Sequence, residues 1–269
     1  VQYMITNAEN ISNEFEDLRR LDEAESKTPG NYVISNKTKN RHRNRFANIL
    51  AKESSRVLLE SRQYINANII EFPRSFLLPS YILTQHPLEC TVNSFWEMVQ
   101  QYNTLAIIQL NETNEENYLK KPASEYDVLV THVCSQSSQT LVVRKVRIVH
   151  RETQTVTDLI HYQFIGWPDH GVPKNYRGII QLVSIVNQQL DTTRSRRKNI
   201  LVHCMAGVGR TGTFTALHAC INILHQPLSV YSGPFRFFEI VKYLKQRRTY
   251  AVQNRDQYLF CYATLEYFL

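Results

Sequence analysis

The run Asn199-Ile-Leu-Val-His-Cys-Met-Ala-Gly-Val-Gly-Arg-Thr-Gly-Thr-Phe214 is the stretch around which the chain is organised. Ile200, Leu201 and Val202 form a short apolar, β-prone segment, and beyond Arg210 the apolar residues Phe214, Leu217, Ile221 and Leu224 recur at helical spacing. The unit therefore reads strand, tight loop, helix. Cys204 opens the loop and Arg210 closes it, with five residues between them. Gly207 and Gly209 allow backbone conformations closed to other residues, so the N–H groups of Met205, Ala206, Gly207, Val208 and Gly209 can turn inward. They would form an anion-binding nest at a helix N-terminus. Arg210 adds a planar fork of donors that matches two phosphate oxygens, and its charge, together with the helix dipole, favours the thiolate form of Cys204. Taken alone, Cys204 could equally be a buried structural cysteine. With His203, two glycines, Arg210 and Thr211 around it, an activated nucleophile above a phosphate cradle is the better account.

Three further blocks stand apart from the packing pattern. Trp167-Pro168-Asp169-His170-Gly171-Val172-Pro173 is a loop by its prolines and glycine, in which Asp169 alone would read as an Asx turn. Asn44-Arg45-Phe46-Ala47-Asn48-Ile49 joins a basic run to an aromatic residue, and Val252-Gln253-Asn254-Arg255-Asp256-Gln257-Tyr258 opens the last helix. Gln253 and Gln257 could be helix-capping amides. Together with His203-Cys204, Arg210 and Thr211-Gly212, these blocks resemble the protein tyrosine phosphatases in order and spacing, from about Asn31 to Leu269. The resemblance implies a twisted mixed β-sheet flanked by helices on both sides, an α/β fold. It also implies that Cys204 is the nucleophile, Arg210 the phosphate clamp and Asp169 the general acid. Thr211 then aids departure of the cysteine, Gln253 positions the hydrolytic water, Gln257 supports it, and Trp167 anchors the hinge of the Asp169 loop. Phe46 becomes the wall that stacks on the substrate ring. The family's peptide-docking position falls on Asn48, and a family lysine that can contact the catalytic aspartate falls on Lys120, which is otherwise a solvated charge. No metal and no cofactor is required, and the implied partners are phosphotyrosine-containing proteins.

Composition is compatible with this. At 269 residues the chain can bury a full core, and no linker, repeat or low-complexity tract divides it, so it reads as one catalytic domain over 1–269. Ile11, Phe15, Leu18 and Leu21 at helical spacing give an N-terminal helical extension, over 1–30, that packs on it and ends before Thr28-Pro29-Gly30. No run of 18 apolar residues and no leader pattern is present, so neither a membrane segment nor secretion is expected. Five cysteines (Cys90, Cys134, Cys204, Cys220 and Cys261) without a C-x-x-C pair point to reduced thiols and a cytoplasmic setting, or a cytoplasmic-facing part of a larger protein. The sequons at Asn10, Asn36 and Asn111 read as chance. Net charge is +7, with basic clusters at Lys39–Arg45 and Arg194–Lys198. No nucleic-acid fingerprint accompanies them, so an anionic phosphopeptide is the partner they fit.

Coarse periodicity predicts paired strands at Tyr64–Ala67 and Tyr81–Gln85, and a helix opening at Asn93–Met98 with Asn93 or Ser94 as N-cap. A buried strand follows over Thr104–Leu110, then strands over Val128–Val133, Thr140–Val149 and Thr155–Phe164, and helices over Asn175–Leu190 and Phe235–Arg248. Several residues depart from the family pattern. Phe46 replaces tyrosine and keeps the ring face, whereas Asn48 replaces aspartate, which can accept from two peptide N–H groups where an amide has one oxygen. Weaker peptide docking follows. Met205 stands in place of serine, so a lost side-chain hydrogen bond could loosen the loop. His86 stands in place of glycine. Tyr250 and Lys245 stand where glycine and arginine frame a second aryl-phosphate site, which predicts no tandem-phosphotyrosine preference. Two other readings remain open: a catalytically weakened fold used as a phosphotyrosine-binding module, and a dual-specificity or phosphoinositide phosphatase.

Overall fold

In the computed structural model, the described residues are 2–112, 117–135, 140–169, 171–192, 199–226 and 236–269. His170, the loop residues 113–116, the basic run 194–198 and Phe235 lie outside them. The helices are α1 (Gln2–Lys27), a single turn α2 (Thr38–Arg41), α3 (Val92–Gln101), α4 (Arg177–Thr192), α5 (Gly209–Leu224), α6 (Phe237–Lys245) and α7 (Arg255–Phe268). The strands are β1 (Ala67–Ile70), β2 (Ser80–Gln85), β3 (Thr104–Gln109), β4 (Tyr126–Ser135), β5 (Leu141–His150), β6 (Val156–Phe164) and β7 (Asn199–Cys204). They form one sheet in the order β1-β2-β7-β3-β6-β5-β4. The four central strands run parallel, and β1, β5 and β4 are joined antiparallel, so the sheet is mixed.

The alternation of apolar residues explains why the sheet is covered on both faces. Tyr81 and Leu83 of β2, Ala106 and Ile108 of β3, and Ile200 and Val202 of β7 join one core that includes residues of α4 to α7. Their neighbours Ile82, Ile107 and Leu201 join a second core with Phe95, Trp96 and Val99 of α3. Helix α1 turns Ile11 and Leu18 into the first core and packs on α6 and α7.

Among the boundaries that differ from the periodic reading, three bear on the site. The first strand begins at Ala67 rather than Tyr64, because the backbone before it serves side chains instead of a ladder. The Tyr64 carbonyl accepts from Arg43 Nε at 2.8 Å, and the buried Asn66 amide donates to Asn44 Oδ1 and the Ile49 carbonyl. Helix α3 is preceded by Thr91, not by Asn93 or Ser94. Thr91 Oγ1 is bonded with the Leu88 backbone, while Ser94 accepts from Arg43 and Asn93 donates to Ser124. Helix α6 ends at Lys245, so Arg248 belongs to the loop beyond it.

Candidate active site

The central strand β7 delivers Cys204 at its C-terminal end, where Gln85 of β2 is its parallel register partner. A tight loop follows, and α5 starts at Gly209. Gly207 has φ +71, and a Cβ there would fall 2.1 Å from the Thr84 carbonyl oxygen, so only glycine lets the loop lie this close to β2. Cys204 is buried, and Thr211 Oγ1 donates to its Sγ at 3.2 Å. The fully buried Arg248 holds the loop from below: its guanidinium donates to the carbonyls of Ala206 and Gly207, at 3.1 Å each, and to Asn66 Oδ1 and Asn68 Oδ1. Burial pushes the Arg248 guanidinium down to about 10, still far above neutrality.

Met205 is also fixed, by a different route from a serine hydroxyl. Its carbonyl accepts from the His86 N–H at 3.0 Å, and its sulfur accepts from Asn111 Nδ2 at 3.3 Å. The His86 ring fills the space beneath, 5.3 Å from the Tyr118 ring and 5.4 Å from His203. The residue that departs from glycine at position 86 is therefore part of the loop's floor.

A chain of polar contacts runs behind the nucleophile, and the donors order it. Arg144 Nη1 reaches His161 Nδ1 at 3.3 Å, so that nitrogen accepts and the His161 proton sits on Nε2, facing Gln109 Oε1 and the Tyr118 hydroxyl. The Tyr118 hydroxyl then donates to His203 Nε2 at 2.9 Å, which leaves the His203 proton on Nδ1, toward the Cys204 carbonyl. Burial holds both imidazoles neutral: His161 is pushed down to about 3 and His203 well below its usual range.

Over the loop lie residues 167–169 and Gly171. Trp167 is buried, packs near Phe164 and Phe260, and its Nε1 donates to the Gly171 carbonyl at 2.9 Å, pinning the turn. Arg210 reaches up to it, with Nη1 donating to the Trp167 carbonyl at 2.9 Å and Nη2 to Asp169 Oδ1 at 2.7 Å. Across the cavity, the Phe46 loop is fixed by Arg45, whose N–H donates to Gln85 Oε1 and whose guanidinium donates to the carbonyls of His86 and Pro87. Phe46 is 41% exposed and lines the cavity. Asn254, not either glutamine, caps α7 by accepting from the Gln257 N–H. Gln257 Oε1 instead accepts from the Gln253 N–H at 2.9 Å. Both glutamine side chains lie against Gly209, where a Cβ would fall 3.1 Å from Gln253 Oε1.

The result is one cavity of about 330 Å³ lined by Phe46, Asn48, Asp169, Cys204, Met205, Ala206, Gly209, Arg210, Gln253 and Gln257. It brings together a thiol, a guanidinium, a carboxylate and a carboxamide, the set needed for attack, charge stabilisation, proton transfer and water placement. Lys120 is not among its lining residues; it is exposed, in a turn where its N–H donates to the Asn117 carbonyl. A larger groove of about 680 Å³, lined in part by Lys37, Lys39, Arg43, Arg56 and Arg62, takes up much of the first basic cluster and has no nucleophile. The residues that sequence reasoning missed are Arg248, Asn66 and Asn68. The signal was Asn66 and Asn68 two apart in an otherwise apolar run, on one face and requiring a buried partner.

The family model of the protein-tyrosine phosphatases matches residues 40–267. The human tyrosine-protein phosphatase non-receptor type 20 is 31% identical over 245 residues, which are 87% of this chain and 56% of that protein. An Arabidopsis thaliana protein-tyrosine-phosphatase is 28% identical over 96% of this chain and 79% of its own length, and the chicken receptor-type phosphatase S is 30% identical over 93% of this chain and 17% of its own. The chain thus spans just over half of the first of these relatives and under a fifth of the receptor. In shape it is similar to the catalytic domain of the human non-receptor type 18 phosphatase, with a TM-score of 0.86 at 22% identity over 98% of both chains. The type 18 phosphatase is also solved with HER2 phosphotyrosine peptides, at a TM-score of 0.86 and 23% identity, covering 96% of this chain and 98% of that one.

Proposed function

The chain belongs to the protein-tyrosine phosphatase family, and from that premise we propose that it hydrolyses phosphotyrosine in proteins through a phosphocysteine intermediate. The observation that carries this reading is the single cavity in which Cys204, Arg210, Asp169 and Gln253 meet, with Thr211 bonded to the nucleophile. The Cys204 thiolate attacks phosphorus; the bond from phosphorus to the tyrosyl oxygen breaks, and that oxygen takes its electron pair and the proton of Asp169. Without the proton it would leave as a phenolate of pKa about 10, and such assistance is worth about 10² to 10⁴ in rate. Arg210 and the inward N–H groups of residues 205–209 hold the equatorial oxygens as charge develops. Water oriented by Gln253, with Gln257 in support, then attacks phosphorus. The S–P bond breaks, its electron pair returns to Sγ with help from the Thr211 hydroxyl, and the water's proton passes to Asp169.

Substrates are phosphotyrosine-containing proteins in this reading, and a similar fold solved with phosphotyrosine peptides supports it. The setting proposed is the cytoplasm or a cytoplasmic face; no described helix is long and apolar enough to cross a membrane. Lys245 is buried against Asp22, which supports the absence of a second aryl-phosphate route. Asn48 lies on the ridge between the cavity and a smaller recess of about 250 Å³, where a peptide backbone would run. Asn48→Asp should therefore lower KM for peptides without changing kcat, and an unchanged peptide KM would refute that role. Lys120, exposed and outside the cavity, stays a solvated charge in this reading.

The deciding experiment measures phosphate release from phosphotyrosyl, phosphoseryl and phosphoinositide substrates, with Cys204→Ser as control. Tyrosine-selective turnover that this variant abolishes is the expected result. Folded protein that binds phosphotyrosine without turnover would instead favour a binding module.

A further inference from the structure

Outside the cavity, the most deeply buried ion pair among the described residues holds a loop that leads into it. Lys245, the last residue of α6, and Asp22, on α1, have side chains 1% and 7% exposed, and Nζ lies 2.5 Å from Oδ2. Neither lines the cavity. Between them they hold the two ends of one short turn: Asp22 Oδ1 accepts from the Tyr250 N–H at 2.8 Å, and Lys245 Nζ donates to the Val252 carbonyl at 3.1 Å. The backbone there is strained. Tyr250 has φ 67 and Val252 φ 58, a left-handed region that an aromatic and a β-branched side chain avoid. Conformations of this kind persist only where the surroundings over-determine them.

The other side of the loop shows what the strain accomplishes. The Val252 N–H donates to the Val208 carbonyl of the phosphate loop at 3.3 Å, and Gly212 of α5 is so close that a Cβ there would fall 2.4 Å from Val252 N. Residues 250–252 are thus pressed between the phosphate loop and the buried ion pair, and the next residue is Gln253, whose carboxamide enters the cavity.

We propose that Asp22 and Lys245 are positioning residues for the second half-reaction: their ion pair holds the strained turn that sets Gln253 over the phosphocysteine. This rests on the role given to Gln253 above. Asp22 comes from α1, ahead of the family-matched segment 40–267, so the N-terminal helix serves catalysis and not packing alone. The first half-reaction uses Cys204, Arg210, Asp169 and the N–H groups of 205–209; the pair touches none of these, and the turn meets the loop at the Val208 carbonyl rather than at an N–H. The second requires water at one place as the S–P bond breaks. With Gln253 displaced, water is placed less often, and an added glycol oxygen can attack phosphorus instead, giving an alkyl phosphate while its proton passes to Asp169.

The test compares the parent with Lys245→Met and with the double variant Asp22→Asn, Lys245→Met, which leaves no unpaired buried charge and keeps an acceptor for the Tyr250 N–H. Rapid-quench kinetics on a phosphotyrosyl peptide, with and without ethylene glycol, separates the two half-reactions. Amide hydrogen exchange over 249–253 reads the loop without any turnover. We expect phosphocysteine formation to be unchanged, its hydrolysis to slow roughly tenfold or more, a larger share of phosphoryl groups to reach glycol, and faster exchange at 250–252. Folded variants that slow both half-reactions alike, or that leave hydrolysis unchanged, would overturn the proposal. If the parent forms no phosphocysteine, the phosphatase reading fails by itself, and unchanged exchange in the variants would separately overturn the clamp.

Discussion

Asp169 holds Arg210, at 2.7 Å from Nη2, with the carboxylate that the proposed mechanism assigns to protonating the leaving phenol. Its side chain is 66% exposed against 6% for Arg210, so solvent screens the pair and its contribution is about 1 kcal/mol or less. A phosphoryl dianion seated on the loop offers Arg210 two oxygens in a bidentate, less screened contact, and takes the guanidinium from Asp169. The carboxyl group is then released toward the bridging oxygen. Asp169→Ala should accordingly lower kcat by about 10² to 10⁴ and tighten binding of a test oxyanion such as tungstate by up to about fivefold. Stopped-flow turnover and calorimetric titration check the two halves, and weaker tungstate binding would show that Asp169 does not compete for Arg210. At this scale the sequence was a good guide to the groups that the cavity brings together. It was a poor guide to groups that hold them, because Arg248 meets Asn66 and Asn68 from about 180 positions away.

The strand, loop and helix from Asn199 to Leu224 were readable because local rules decide them: an apolar β-prone run, then glycines, then helical spacing. Where tertiary partners took over, the reading drifted. Tyr64 and Ile65 have strand propensity, yet the Tyr64 carbonyl is claimed by Arg43; Asn93 and Ser94 are good caps, yet both are bonded elsewhere. Gly207 tests how tightly the loop is bound to its neighbouring strand. Alanine there must adopt φ +71 and place Cβ 2.1 Å from the Thr84 carbonyl oxygen, backbone that cannot rotate away. A left-handed cost of roughly 1–2 kcal/mol and overpacking of roughly 1–3 kcal/mol together lower stability by about 2–5 kcal/mol. The loop's shift should cost on the order of 10² in turnover, since a displacement near 1 Å is enough. Thermal melting and turnover of a small aryl phosphate measure both, and near-parent activity would mean that the loop tolerates displacement from β2.

Among the described residues four imidazoles are sealed from solvent, those of His86, His161, His203 and His218, and the last three sit in apolar runs that read as core, so no periodic pattern reveals them. Burial pushes His161 and His218 down to about 3, and His203 well below its ordinary range. In the unfolded chain each would titrate near pH 6.5. Below that value the unfolded state binds protons that the folded state refuses, so stability falls as the pH falls, across the window from about 6.5 toward 3. His161 and His218 each contribute about 1.4 kcal/mol per pH unit in that window, or about 2 kcal/mol by pH 5.0, and His203 adds to them in the same direction. Asp22 acts in the opposite direction, since burial raises its carboxyl group in the folded state, but it is one group against three. The combined loss is a large part of the stability of an ordinary domain, about 5–15 kcal/mol. The melting temperature followed by circular dichroism should therefore drop steeply between pH 7.5 and pH 5.0. His218, on α5 and remote from the cavity, separates this effect from catalysis. Its Nδ1 lies 2.8 Å from the Tyr81 hydroxyl, so His218→Asn keeps an acceptor there and removes only the titrating group. That variant should lose about 1.4 kcal/mol per pH unit of the slope, whereas a slope equal to the parent's would mean that the buried imidazoles take up protons without unfolding.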